Sequence, residues 1–195
     1  MRRPIRTSAP AVKPVSLEEA KQHCRVDTNE DDVVIAAFID AAVSHLDGWS
    51  GVLGRCLINQ GWRLSLTGWP ACRSIRLPFP DVSDATVKYF DVDNVEQTVD
   101  ASLFERVEDE RGAIVEFREG FTGPAVFADR SAAVTVEFVA GYGPAAGDVP
   151  QAIRAAISMM VAHWYNHREV AVEGQSVEVP FGASMLIAPF RRTGI

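Results

Sequence analysis

Two histidines near the C-terminal end of the sequence have a spacing that would suit a bound metal ion. His163 and His167 lie four residues apart within HWYNHRE, and on a helix that spacing points both imidazoles to the same side. The zinc-protease pattern requires a glutamate directly after the first histidine, where this chain has Trp164. A catalytic zinc also requires a third protein ligand, and the sequence nominates none. We therefore expect these histidines to form hydrogen bonds at a packing seam, with a metal-dependent hydrolase as the alternative.

Other patterns that would support catalysis are weak or missing. The sequence has no Gly-x-Ser-x-Gly elbow for a nucleophilic serine. The glycine-rich segment GYGPAAG, residues 141–147, lacks the lysine and the hydroxyl residue with which a phosphate-binding loop holds its ligand. Cys24 follows His23 directly, and adjacent residues on a helix do not face each other. The sequence therefore predicts neither an enzyme nor a cofactor.

The charge balance argues against tight binding of nucleic acid. The chain of 195 residues has 19 basic and 26 acidic side chains, which gives a net charge of −7 and a pI near 5.1. An acidic surface repels the phosphate backbone, although DNA can still pass along it. The cysteines, Cys24, Cys56 and Cys72, are widely spaced, which is typical of reduced thiols. No apolar run is long enough to cross a membrane, so we expect no membrane partner.

A cluster of apolar and basic residues near the C-terminus is a candidate interaction surface. It lies within VPFGASMLIAPFRR, a segment that predicts a short helix or hook. Two interpretations stay open: the segment packs back on its own domain, or it docks onto another subunit with arginines at the rim of the contact. The candidate residues are Phe181, Met185, Leu186, Ile187, Phe190, Arg191 and Arg192.

Helical patterns frame the middle of the chain. Ser16 and Glu19 have the spacing of a capping box, which predicts the start of a short helix. A second helix begins near residues 28–32 and carries apolar residues at helical spacing. A long third helix is predicted after Asp148, which would cap it, with Pro150 in its first turn.

The middle of the chain has the periodicity of strands. Trp62, Leu64 and Leu66 alternate with polar residues, and two hairpins are predicted to turn at Asp93–Asn94 and at Arg111–Gly112. Because no helical pattern separates these strands, they should pair antiparallel.

These elements predict an α+β fold in which a mainly helical core, made of a helical hairpin and a long C-terminal helix, holds an inserted antiparallel β unit. The first residues contain three prolines and no periodicity, which is typical of a flexible arm. The predicted parts are the arm at 1–15, the N-terminal helical part of the core at 16–55, the β unit at 56–141, the long helix at 142–172 and a docking tail at 173–195.

The order of these segments resembles that of the head–tail connectors, or adaptors, of long-tailed bacteriophages and of gene transfer agents. No single motif is tied to a chemical step, so the resemblance rests on the number and order of the segments. Together they cover nearly everything from Val15 to Arg192. They are SLEEAKQHCRVD, DDVVIAAFIDAAVSHLDGWSG, RCLINQGWRLSLTGWP, IRLPFPDV, YFDVDNVEQTV, VTVEFVAGYG, VPQAIRAAISMMVAHWYNHREV and VPFGASMLIAPFRR.

The resemblance implies a structural protein in the neck of a phage or phage-like particle. It implies a ring of about a dozen copies below the portal protein, with one surface of each copy meeting a different surface of the next. The ring would extend the DNA channel without binding DNA specifically and would meet stopper or other tail-side neck proteins. We expect the tail residues 181–192 to dock on the portal.

The resemblance also bears on where the chain is found and on what it does not do. It implies no catalytic residue, metal or cofactor. We expect the chain in the host bacterial cytoplasm before assembly and in the neck of the particle afterwards. A cytosolic scaffold module with partners outside the virion is, beside the hydrolase, the remaining alternative.

Overall fold

Residues 2–167 and 179–192 are described by a computed structural model, and they separate into two units. The β unit contains the described residues up to Ala11 together with Asn59–Tyr142. The helical unit contains Val12–Ile58 and the described residues from Gly143 to Arg192. The prediction of an α+β fold with antiparallel strands is confirmed.

The order of helices and strands follows the predicted succession of helices, strands and helices, with one additional strand at the start. The strands are β1 (Ile5–Ser8), β2 (Gln60–Leu66), β3 (Ser74–Arg76), β4 (Val82–Phe90), β5 (Glu96–Thr98), β6 (Phe104–Asp109), β7 (Gly112–Phe117) and β8 (Val134–Ala140). The helices are α1 (Leu17–Cys24), α2 (Asp32–Leu46), α3 (Gln151–Asn166) and α4 (Phe181–Ile187). Within the described ranges, no helix has the length and apolar character needed to cross a membrane.

The larger sheet of the β unit has five strands in the order β1-β2-β8-β4-β5, and every neighbouring pair is antiparallel. Leu64, Val136 and Val87 lie opposite one another on three adjacent strands, and all three are fully buried. Because side chains alternate between the two faces of a strand, their sequence neighbours point the other way. This alternation confirms the strand pattern predicted around Trp62.

The opposite face of the same sheet carries a charged cluster. Glu137 on β8 lies between Arg63 and Lys88, at 3.0 Å from the nitrogen of each. The hydrogen bond from Lys88, together with the nearby charge of Arg63, holds the pKa of the Glu137 carboxyl below its ordinary value. Cross-strand pairs of opposite charge stabilise a sheet modestly and help to define its register.

The second sheet has three strands in the order β3-β7-β6. Phe79, just after β3, contributes to the core of the β unit, with ring centroids 4.7 Å from Trp62 and 6.3 Å from Phe138. A second aromatic group forms around Trp69, whose indole N–H donates to the carbonyl of Pro124 at 2.7 Å. Such aromatic pairs contribute to stability beyond the apolar area that they bury.

The helical unit is organised around α3, which contacts α1, α2 and α4. Ile153, Ile157 and Met160 of α3 are fully buried and recur at intervals of three and four residues, as predicted. Ile35 and Ile39 of α2 are likewise buried. The apolar stripe therefore holds the helices together by burial.

The predicted capping box at the start of α1 is confirmed. The backbone N–H of Ser16 donates to the Glu19 carboxylate at 2.9 Å, and the backbone N–H of Glu19 donates to the Ser16 hydroxyl at 3.2 Å. Arg154 of α3 also donates to Glu19 and, through Nε, to the carbonyl of Pro14 at 3.0 Å. The Ser16 N–H and the Arg154 charge lower the pKa of the Glu19 carboxyl.

This lowered pKa predicts a pH-dependent contribution of Glu19 to stability. A carboxyl with a depressed folded-state pKa stabilises the fold fully above its unfolded value, near 4.5, and loses that contribution as the pH falls through the folded value. We expect Glu19→Gln to be less stable than the parent at neutral pH, and the difference to shrink steadily below about pH 4.5. Urea denaturation of both chains between pH 7 and pH 3 measures it; a pH-independent difference would contradict the ionic contribution.

The N-terminal residues differ from the flexible arm predicted for 1–15. Ile5–Ser8 forms the edge strand β1, with Ile5 opposite Arg63 and Arg6 opposite Trp62 on β2. Pro4 and Pro10 lie outside the paired segment, where a missing N–H does not interrupt a ladder. The β unit therefore contains the start of the chain as well as the segment predicted for it.

One prediction about the helices is confirmed only in part, and another needs correction. About 31% of the described residues are helix and about 26% strand, so the fold is α+β but not clearly mainly helical. Asp148 does not cap α3, since Pro150 occupies the N-cap position. The Asp148 carboxylate instead accepts from the N–H of Ala145 at 2.8 Å and so closes the preceding turn.

Candidate docking surface

The predicted short helix in the tail is present as α4, and a single 3-10 turn, Ala188–Phe190, follows it. Ala183 and Ile187 are buried, at 0% and 4% exposure, where α4 packs on α3. At Gly182 the fit is tight, because a Cβ there would lie 2.7 Å from the Met159 methyl group. The tail thus packs back on its own unit through one side of α4.

The other side of α4 presents apolar side chains to the surface. Phe181 is 81% exposed and Met185 is 59% exposed, and they lie four residues apart on the same side of the helix. Leu186 and Phe190 are half-buried between the two sides. These two large side chains form an exposed apolar surface on a packed helix, which we call the α4 patch (Phe181 and Met185).

The two arginines of the tail have different positions. Arg191 is exposed beside the 3-10 turn. The backbone N–H of Arg192 donates to the carbonyl of Leu53 at 3.1 Å, in the turn that follows α2. Arg192 therefore belongs to the attachment of the tail to its own unit, and Arg191 is the exposed arginine of the tail.

The seven predicted partner-binding residues have three kinds of position. Ile187 and the backbone of Arg192 hold the segment in place, whereas Phe181, Met185 and Arg191 are exposed. Leu186 and Phe190 are half-buried. The interval of four residues between Phe181 and Met185 indicates that both lie on one face of a helix. It does not indicate whether that face is buried against the rest of the unit or exposed.

The two histidines lie at the end of α3 and form no metal site with a third ligand from the described residues. Their rings are 4.4 Å apart, and Nδ1 of His167 lies 2.8 Å from the backbone carbonyl of His163. A nitrogen that donates to that carbonyl has no lone pair left for a metal ion. Among the described residues, no group of three histidine, cysteine or acidic side chains has the geometry to hold one. Glu169 lies outside the described residues.

A groove of about 290 Å³ lies between α1 and α3 in the helical unit. Its lining includes Val15, His23 and Met159 together with the ion pair of Glu19 and Arg154. Because that arginine already bonds to a carboxylate and to a carbonyl oxygen, it does not offer a free positive charge to an anionic ligand. The groove therefore has the character of a packing seam between helices.

Comparison with protein-family models gives a match over part of the chain. Residues 14–65 match the family described as "Phage gp6-like head-tail connector protein", a segment that contains α1 and α2 and reaches into β2. No curated protein sequence matches the chain significantly.

Solved structures resemble the chain over its whole length. A chain in the neck of an empty gene transfer agent particle, solved with C6 symmetry, is 24% identical with a TM-score of 0.78, covering 100% of this chain and 97% of that one. A chain in the virion of the native particle is 24% identical with a TM-score of 0.76, covering 98% and 96%. A chain in the native neck solved with C12 symmetry is 23% identical with a TM-score of 0.71, covering 98% and 97%. This chain therefore has the fold of a protein found in the neck of gene transfer agent particles, and its residues 14–65 match the phage gp6-like head-tail connector family.

Proposed function

We propose that the chain is a head–tail connector that forms a ring between the portal and the tail-side neck proteins of a phage or phage-like particle. The observation that carries the proposal is the likeness to a neck protein that spans 100% of this chain and 97% of the other. The likeness covers both units of the chain. The match of residues 14–65 to a connector family supports the same role independently.

The proposed role is structural and needs no chemical step. The stripe of α3 is buried among helices, and Nδ1 of His167 is occupied by the backbone carbonyl of His163. The α1–α3 groove contains a closed ion pair. These features stabilise the fold of the helical unit. A connector acts through the surfaces that contact its neighbours, and a stable fold holds those surfaces in place.

A ring requires each copy to use two different surfaces. The similar neck structures were solved with C6 and C12 symmetry, which supports a ring of about a dozen copies for this chain as well. We propose that the helices within 16–55 and 142–172 form the core of the connector, that strands within 56–141 join the N-terminal strand β1 in the β unit, and that 173–195 is the docking tail.

The α4 patch is the surface that we assign to the portal. Phe181 and Met185 supply apolar area and Arg191 supplies a charge at its edge, which is the composition typical of a docking contact. Ala183 and Ile187 hold the helix in position, so little ordering is required when it binds. A preformed contact of this kind suits a protein that waits in the host cytoplasm and assembles on completed heads.

The charge of the chain suits a DNA conduit. With a net charge of −7 the ring would repel rather than hold the phosphate backbone, so DNA would pass through the channel without specific binding. Stopper or other tail-side neck proteins would meet the ring on the side away from the portal.

Deleting the gene for this chain from the strain that produces the particles tests the proposal. We expect heads that are filled with DNA but lack tails, and we expect the parent chain supplied in trans to restore tailed particles. Electron microscopy of purified particles and protection of head DNA from nuclease measure both properties. Tailed, functional particles assembled in the complete absence of the chain would refute the role.

A further inference from the structure

The five-stranded sheet of the β unit ends in two open edge strands, β1 and β5. β1 has four residues and β5 has three. An edge strand leaves alternate backbone N–H and C=O groups without a partner in its own sheet, so it can pair with a strand of another chain.

The β1 edge is basic. Arg2, Arg3 and Arg6 are all exposed, and none forms an ion pair with any residue that the structure describes. Ile5 between them is 62% exposed. We call these four residues the basic edge.

The β5 edge is acidic. Asp93 in the hairpin turn, Glu96 on β5 and Asp100 after it are exposed, and Val95 between them is 53% exposed. These four residues are called the acidic edge below. The turn is held rigidly, because the neighbouring Asp91 carboxylate accepts from the N–H groups of Asp93 and Val95 at 3.0 Å each.

The positive charges near the acidic edge are already engaged. Lys88 lies 3.0 Å from Glu137 and 3.6 Å from Glu96. Arg130 donates to the Asn94 side chain at 2.7 Å and lies over the ring of Phe90 at 3.4 Å. Arg130 keeps its positive charge beside these neutral partners. The four carboxylates around the edge, Asp91, Asp93, Glu96 and Asp100, outnumber the two cations, so the edge is negative overall.

The directions of the strands permit the two edges to meet. Four antiparallel pairings in succession mean that β1 and β5 run in the same direction within one sheet. When the next copy in a ring is rotated by a small angle about the ring axis, its β1 can lie parallel to the β5 of the first copy. Repeating this rotation from each copy to the next closes the ring.

We propose that neighbouring copies of this chain join head to tail, with the basic edge of one copy along the acidic edge of the next. The contact would combine a short parallel strand pairing with the opposite charges and with the exposed Ile5 and Val95. Two like edges repel each other, so pairing of β1 with β1 or of β5 with β5 is disfavoured. This inference rests on the ring that the proposed function requires, and it names the surfaces that form it.

Such a contact is short and charge-dependent, so free chains should associate weakly and reversibly. The experiment uses the purified full chain under reducing conditions, at concentrations from about 10 µM to 1 mM, studied by sedimentation velocity at low salt. We expect self-association of the parent chain that is lost at high salt. A parent chain that remains monomeric throughout this range would overturn the inference.

Charge reversal at one edge separates this contact from non-specific attraction. Arg3→Glu/Arg6→Glu makes both edges acidic, and Asp93→Lys/Glu96→Lys makes both edges basic. We expect each variant alone to associate at least about tenfold more weakly than the parent. Arg73→Glu/Arg118→Glu, which changes exposed arginines flanking β3 and β7, has the same net-charge change as the first variant and should associate like the parent.

A mixture of the two edge variants gives the decisive result. In alternating order, every contact between them again joins an acidic edge to a basic edge, so the equimolar mixture should associate like the parent. Failure of the mixture to associate, or undiminished association of either variant alone, would refute the edge-to-edge contact. Because the readout uses no particle, it is independent of whether the chain is found in the neck, and the two proposals can fail separately.

Discussion

Replacing Phe181 by serine and Met185 by glutamine should leave the chain folded but weaken its attachment to portal-containing heads by at least about tenfold. The two side chains are 81% and 59% exposed, so their removal takes little from the folded state. Serine suits the start of a helix, and glutamine keeps the helix propensity of methionine. The measurement is the amount of chain that cosediments with tailless heads over a range of concentrations.

A matched substitution elsewhere in the same unit controls for the loss of surface apolar area. Val33 at the start of α2 is 82% exposed, so Val33→Ser removes a similarly exposed apolar side chain from outside the α4 patch. We expect it to bind heads like the parent. Undiminished binding of the Phe181/Met185 double variant, with both variants folded, would show that α4 does not dock on the portal.

The substitution Gly51→Ala should cause the largest loss of stability among single exchanges of glycine for alanine in the helical unit. A Cβ at this position would lie 2.3 Å from the carbonyl oxygen of Leu46, which is backbone and cannot rotate away. The turn that would have to shift contains Leu53, whose carbonyl accepts from the Arg192 N–H. The substitution therefore strains the end of α2 and the attachment of the tail together.

The expected size is a loss of about 1–3 kcal/mol in the free energy of unfolding, measured by urea denaturation. Gly147→Ala is the matched control, because no atom lies within 4 Å of a Cβ placed there. That substitution should be neutral or stabilise by up to about 1 kcal/mol, since alanine restricts the unfolded chain. Equal effects of the two substitutions would contradict the packing described for the turn.

The sequence predicted well those features that short-range interactions determine. The capping box of Ser16 and Glu19 needs only a spacing of three residues, and it is present as predicted. The hairpin around Asp93–Asn94 forms because Asn94 tolerates a positive φ, here 61°. The buried stripe of α3 follows from helical periodicity alone.

Features that depend on distant partners were predicted poorly. Ile5 and Thr7 carry the β-branched side chains of a strand, but four residues among prolines form one only because β2 offers an edge. The tail residues showed helical spacing, yet only the packing of Ala183 and Ile187 decides that Phe181 and Met185 face outward. The opposite charges of the basic edge and the acidic edge can likewise be recognised only from the strand order, which places β1 and β5 at the two ends of one sheet.

An image of the particle neck, at a resolution that traces each chain, tests the central claim most directly. We expect a closed ring of this chain directly below the portal, with α4 against the portal and the β1 and β5 edges of adjacent copies in contact. A complete neck in which this chain is absent would contradict the proposed function itself.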